Sequence, residues 1–302
     1  MRPYEETDFI PIRDFLVETY AYFGRPYNWM IDRWNFSASL ARVMNGVSRE
    51  EWASRIALWE HGGAILAVVN AEGEDDGEAF FQVAHEDLPD EIVEEMFGFC
   101  EAHLGKEKQG KWVIYLRISP EFPWLEAAAS RRNYTRLPQT EPVAELSLVQ
   151  AFPVELPPGY SFLYGDYVTP SDKGEAHARA FGYADDPVYR PRSTVGYHEA
   201  ALTPDYRADL DLYVRSPAGE IASFATMWYD RRNRIGILEP VGTVPDHRKL
   251  GLGRATIFQL ANQILPEGAT KVYVGSRQPF YLRLGFQDRV KYSIWTKEMD
   301  LD

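Results

Sequence analysis

Residues 244–257 read VPDHRKLGLGRATI, and they set two glycines, Gly251 and Gly253, just where an apolar-periodic segment begins. A plain helix start asks only for a capping side chain. Upstream, RIGILEPVGTV reads as a strand; downstream, RATIFQLANQIL places Ile257, Leu260, Ala261, Ile264 and Leu265 on one helical face. The first turn of a helix leaves backbone N–H groups unpaired and carries partial positive charge, so an anion docks there. Glycine lets successive amides turn inward and keeps Cβ atoms off an approaching phosphate. Arg248, Lys249 and Arg254 add cations around the same point. The run from Arg248 through Lys249, Leu250, Gly251, Leu252 and Gly253 to Arg254 therefore reads as a pyrophosphate cradle.

Two familiar cradles do not match. A P-loop needs Lys-Ser/Thr after its last glycine, and Arg254-Ala255 stands there. A dinucleotide fingerprint needs a third glycine or alanine three residues after Gly253, a place held by Thr256. A tight turn into a helix, with no ligand, is the competing reading. What is left, Arg-x-x-Gly-x-Gly behind a strand, resembles the pyrophosphate loop of the GNAT acyl-CoA N-acyltransferases. A second stretch, FYLRLGF, sets Tyr281 four positions before Gly285-Phe286 and resembles the Tyr-x-x-x-Gly-Phe element of that family. The resemblance covers Tyr160 to Met299; it reaches residues 1–148 only in the order of elements.

That resemblance implies transfer of an acetyl group from acetyl-CoA to an amine by direct attack. Pro240 and Gly242 inside one strand suggest a bulge. The family uses free amides at this place, here Val241, Gly242 and Thr243, to align the pantetheine arm, one of them donating to the oxyanion. Glu239 stands where the family often places the base that takes the amine's proton; half burial would raise its pKa usefully. A strand glutamate facing solvent or pairing with an arginine is the competing reading. Tyr281 would protonate the departing thiolate, against a competing role in packing helix onto sheet. Ser276 falls where family members often set an asparagine against the cofactor, a departure from the pattern. The six histidines, His61, His85, His103, His177, His198 and His247, show no ligand spacing, so no metal is expected. His247 borders the cradle and is read as a surface residue.

Composition sets the outer bounds. The chain has 302 residues, 45% hydrophobic and 25% charged, as in soluble globular proteins. No apolar run approaches the ~20 residues of a membrane span. The opening MRPYEETDFIPIRDFL lacks the pattern of a signal peptide. The single cysteine, Cys100, falls on the apolar face of LPDEIVEEMFGFCEAHLG and is read as buried and inert. A cytoplasmic location is expected. A formal charge of −13 argues against nucleic-acid binding.

The chain reads as two similar halves. IALWEHGGAILAVVN, KWVIYLRIS and PVAELSL are strands of the first half; DLDLYVRSPAGEIASFATMWYD, KVYVGS and KYSIWTKEM are strands of the second. Between them VQAFPVELPPG marks a linker. The expectation is an α+β protein of two tandem GNAT-like domains, each a central mixed, mostly antiparallel sheet flanked by helices. The domains are placed at residues 1–150 and 159–302, with a linker over 151–158.

At the cradle position the first half reads VAHEDLPDEIVEEM, with no glycine, and Glu86, Asp87, Asp90 and Glu91 would repel a pyrophosphate. Ala129, four before Asn133, takes the tyrosine's place. The asymmetry resembles tandem acyltransferases such as mycothiol synthase, in which one domain is catalytically silent. Tyr20, Tyr22, Phe23, Tyr27, Trp29 and Trp34 form either inter-domain core or an aromatic wall for substrate. Arg190 and Arg192 could hold an acidic group on the acceptor. The expected partner is a small-molecule or peptide amine, with no nucleic acid and no membrane; a homodimer is allowed. A non-catalytic acyl-CoA sensor or scaffold is the alternative, and Glu239 with Tyr281 favours the enzyme.

Overall fold

The computed structural model describes residues 1–73 and 77–300. In chain order the first elements are β1 (Arg2–Pro3), α1 (Phe9–Phe23), α2 (Ile31–Phe36), α3 (Arg42–Asn45), α4 (Arg49–Ser54), β2 (Ile56–His61), β3 (Ala64–Asn70) and β4 (Glu78–Val83). Next come α5 (Asp90–His103), β5 (Lys106–Lys108), β6 (Lys111–Ile118), α6 (Pro123–Arg131) and β7 (Thr135–Ser147). After the proline-rich connection follow β8 (Ser161–Tyr164), α7 (Pro170–Phe181), α8 (Tyr189–Ala200), β9 (Asp211–Arg215), β10 (Ile221–Asp230) and β11 (Ile235–Thr243). The last are α9 (Leu252–Ile264), β12 (Lys271–Val274), α10 (Pro279–Arg283) and β13 (Gln287–Asp300). The α+β class is as expected.

Contacts divide the chain into two units: residues 1–30, 47–143 and Asp288 onward form unit 1, and residues 31–46 and 144–287 form unit 2. In unit 1, β2, β3 and β4 pair antiparallel, β4 runs parallel to β6, and β13 lies antiparallel on β6. Helix α5 buries Val93, Met96, Phe97 and Cys100 in a core with Val69, Phe81, Ile114 and Leu116. Each large apolar side chain so buried stabilises the fold by roughly 1.5–3 kcal/mol.

In unit 2, β8, β9, β10 and β11 pair antiparallel, β12 runs parallel to β11, and the end of β7 lies antiparallel on β12. Helix α9 packs Ile257, Leu260, Ala261 and Ile264 into one core with Ala225, Met227, Leu238 and Val272. Helix α7 packs Ala176 with Tyr213 and Phe224. It is pinned by a buried ion pair, Lys173 Nζ to Asp211 Oδ2 at 2.8 Å. Asp211 also accepts from Tyr206, Tyr213 and Thr226, so its charge is buried fully hydrogen-bonded.

The units do not follow the linear division into 1–150, 151–158 and 159–302. KYSIWTKEM, expected to close the second half, lies on β6 of unit 1, from Ser293↔Ile118 to Met299↔Trp112. The end of PVAELSL goes the other way, with Ala144↔Val274 through Ser147↔Lys271 on β12. Period-two patterning says which face a side chain takes and nothing about which strand lies alongside.

Residues 31–46 also join unit 2, with α2 against β10 and β11, and α3 and the π-helical turn Ser37–Ala41 against α8. Asn35 Nδ2 donates to Asp205 Oδ2 at 2.7 Å, and Arg42 pairs with Glu199. Leu40 lies on Gly196, where a Cβ would come 2.3 Å from Leu40 Cδ1.

Candidate active site

The site grows from the β10–β11 ladder. Ala225 pairs with Val241 and Met227 with Leu238, so one residue of β10 faces two of β11, Glu239 and Pro240. This is a bulge, at the position that Pro240 suggests. Trp228, 2% exposed, fixes it by donating its indole N–H to Glu239 O at 2.8 Å. On the other edge, β11 stays with β12 only to Ile237↔Tyr273. Beyond that pair the two strands part.

The ladder also decides which main-chain groups face the gap. Val244 N–H donates to Ala222 O at 2.9 Å, marking Ala222–Val244 as a hydrogen-bonded pair. By antiparallel alternation, the N–H and C=O of Thr243 and Val241 turn away from β10, into the gap left by β12. Those of Gly242 turn into β10, where Ser223 Oγ donates to Gly242 O at 2.9 Å. The expected trio of free amides is therefore a pair, Val241 and Thr243. Gly242 serves packing, since a Cβ there would come 2.3 Å from Phe224 Cζ.

The glycine loop behaves differently at its two glycines. Gly251 has φ 82° and open space around a Cβ, so its backbone conformation is what calls for glycine. At Gly253 a Cβ would press on Phe280 Cζ at 3.2 Å and Thr243 Oγ1 at 3.3 Å. Helix α9 begins at Leu252, and among the described residues no side chain caps its first turn. Lys249, Leu250 and Arg254 are exposed beside it, whereas Leu252 is buried with Val214 and Ala222. Arg248, expected as a phosphate cation, is held by two backbone carbonyls. Its Nε donates to Thr243 O at 3.0 Å and its Nη2 to Ala180 O at 2.8 Å, stitching the end of β11 to the end of α7.

Tyr281, on α10, is 7% exposed, with its ring edge-on to Phe280 and Phe286. Burial, helped by the nearby Glu239 charge, pushes its phenol up to about 12. Glu239, half-buried on β11, lies close enough for its charge to act on the buried Tyr281. The packing role of Tyr281 is real as well, since it belongs to the α9-side core. Ser276 Oγ accepts from Gln278 N–H at 3.3 Å, holding the turn into α10.

Other singled-out residues lie elsewhere. His247 Nδ1 is 2.9 Å from Tyr160 Oη and its Nε2 is 3.5 Å from Glu220. Arg190 pairs with Glu175 at 2.8 Å, and Arg192 Nη1 donates to Met44 O at 3.1 Å, bracing residues 31–46. Tyr22, Phe23, Tyr27 and Phe122 cluster in unit 1, where Tyr22 also donates to Glu86 at 2.7 Å. Trp34 is buried and belongs to unit 2. Cys100 is fully buried, and burial pushes its thiol up.

Sequence reasoning missed Trp228, whose role shows only once the bulge is seen. It also missed His177 on α7, which contacts the Tyr183 hydroxyl and rests against Phe181 and Phe224. Burial pulls His177 down to about 4. Among the described residues there is no group of three or more potential metal ligands and no helix long and apolar enough to cross a membrane.

Residues 177–286 match the acetyltransferase (GNAT) family model, a span that holds the bulge, the glycine loop and Tyr281. Among solved structures the chain is similar to a GCN5-related N-acetyltransferase from Sphaerobacter thermophilus, at 17% identity and TM-score 0.61, covering 99% of this chain and 96% of that one. It is also similar to a tandem GNAT protein from the clavulanic acid biosynthesis pathway, at 13% identity and TM-score 0.59, over 90% and 95% of the two chains. A third, a GCN5-related N-acetyltransferase from Kribbella flavida, shows 16% identity and TM-score 0.51 over 85% and 95%. These likenesses establish the tandem GNAT fold. No curated protein matches the chain. The family match over residues 177–286 supports acyl transfer in general.

Proposed function

We propose that the chain moves an acetyl group from acetyl-CoA to the amine of a small molecule or peptide, at a site in unit 2. One observation carries this reading. The outward main-chain groups of Val241 and Thr243 lead directly into a helix start that no side chain caps, with Tyr281 and Glu239 beside them. That combination suits a long ligand with an anionic end and a reacting end.

Bound acetyl-CoA supplies the thioester. The N–H groups at the start of α9, with Lys249 and Arg254 alongside, hold the diphosphate. The main chain of Val241 and Thr243 aligns the arm as an added strand would, and one N–H donates to the carbonyl oxygen as it gains charge. Glu239 takes a proton from the attacking amine. Tyr281 gives its proton to the departing sulfur, and a phenol held near 12 is fully protonated at neutral pH. Arg248 shapes the cradle rather than touching the diphosphate. The setting proposed is the cytoplasm.

The test is thiol release from acetyl-CoA in the presence of an amine panel, alongside calorimetry with coenzyme A. Amine-dependent release supports transfer. Binding without release for any amine would leave a donor-binding protein, and no binding at millimolar ligand would sink the reading.

A further inference from the structure

Unit 1 repeats the parallel strand pair and the splay, but its gap is filled. β4 follows β6 as far as Phe80↔Arg117 and then parts from it. Ala84 N–H donates to Leu66 O at 2.9 Å, so Leu66–Ala84 is a hydrogen-bonded pair with β3. Alternation then turns the N–H and C=O of Val83 the other way, into the gap.

Asn28 meets both groups there. Val83 N–H donates to Asn28 Oδ1 at 3.0 Å, and Asn28 Nδ2 donates to Val83 O at 2.8 Å. Next door, Trp29 N–H donates to Gln82 Oε1 at 2.7 Å. From the opposite lip, the Tyr292 hydroxyl lies 2.6 Å from Pro26 O and 3.2 Å from Asn28 O. Tyr292 adjoins Ser293, which pairs with Ile118 at the end of β6. Residues 26–29 are thus held from both sides of the splay. A carboxamide presents an N–H donor beside a carbonyl acceptor in a fixed plane, the same pair that an extended backbone offers when it adds to a sheet edge.

We propose that Pro26–Trp29 is an internal ligand, a strap seated in the strand gap of unit 1 that stands in for an extended guest chain. Unit 1 is then closed to any such guest, and the protein has one donor site per chain, in unit 2. The comparison with unit 2 rests on the proposed function. There, among the described residues, the only side chain on the outward groups of Val241 and Thr243 is Arg248, on the Thr243 carbonyl. The acidic Glu86, Asp87, Asp90 and Glu91, which replace a glycine loop after β4, fit a gap with no anionic visitor.

Hydrogen exchange on the full chain tests the strap without any ligand. The Val83 amide should exchange at least about a hundredfold more slowly than in a free chain. Asn28→Ala should speed it about tenfold, with residues 221–243 unchanged, and Tyr292→Phe should have a smaller effect in the same direction. Should Asn28→Ala not fold, the native protein and Tyr292→Phe decide. Coenzyme A titration should saturate at one equivalent per chain. Free-chain exchange at Val83, unaltered exchange in folded Asn28→Ala, or two equivalents of coenzyme A would overturn the proposal. Slow exchange at Val83 with no coenzyme A binding would uphold the strap and overturn the donor-site reading of unit 2.

Discussion

The Tyr281 phenol is buried within the field of the Glu239 carboxylate, and the two influences together raise it to about 12. A donor of this kind keeps its proton through the range in which an amine can lose one. Its stability contribution is present below pH 10, the ordinary tyrosine value, and is lost as pH rises from about 10 to about 12.

Tyr281→Phe is therefore expected to lower turnover by about a hundredfold, with donor affinity changed little. Steady-state kinetics with calorimetry on the same preparation checks this. Equal turnover in the variant would remove the phenol from the mechanism.

Trp228 acts through the bulge. In Trp228→Phe the carbonyl of Glu239 loses its indole donor. The fold should weaken by about 1–3 kcal/mol, the cost of a buried group left unpaired. Turnover should fall further than coenzyme A binding, because the bulge sets the Glu239 position more than it sets the cradle. A parallel drop in both would point to general loosening.

At the loop, Arg248→Lys keeps the charge but cannot reach two carbonyls in one plane. Donor binding should weaken about tenfold, as Thr243 and α7 lose their stitch. Equal affinity would show that charge alone matters there. Gly251→Ala should weaken donor binding similarly and destabilise the fold by about 1 kcal/mol, from the left-handed backbone at φ 82°. Thermal unfolding and calorimetry report both quantities.

His177 gives unit 2 an acid-sensitive point. Burial depresses its pKa to about 4 from the ordinary 6.5, so the fold prefers the neutral ring. The contribution is whole above pH 6.5 and lost as pH falls toward 4. Urea midpoints should drop over that interval, and His177→Gln should flatten the drop. An unchanged acid profile in the variant would assign the acid sensitivity to other groups.

Lys173 is the stability counterpart. Lys173→Met leaves Asp211 charged and buried without its cation, which should cost about 3–5 kcal/mol. Chemical denaturation measures it. A loss under 1 kcal/mol would mean that the three hydroxyl donors suffice.

Much of unit 2 was legible in the chain. Ile257, Leu260, Ala261 and Ile264 announced the buried face of α9 by their spacing, and Pro240 announced the bulge. The glycine loop and Tyr281 could be read because each depends on neighbours within a few residues. The same locality made the missing loop of the first half visible in Glu86, Asp87, Asp90 and Glu91.

Tertiary structure decided what depends on distant partners. Asn28 and Val83 lie 55 residues apart, and nothing in either neighbourhood specifies the other. The exchange of closing strands, the passage of residues 31–46 into unit 2 and the diversion of Arg248 to two carbonyls are of the same kind. Faces, turns and charges could be read locally, since they follow from backbone preference and periodicity. Pairing partners, and which gap stays open, depend on strand registry and buried hydrogen bonds, which the contacts of the whole fold select.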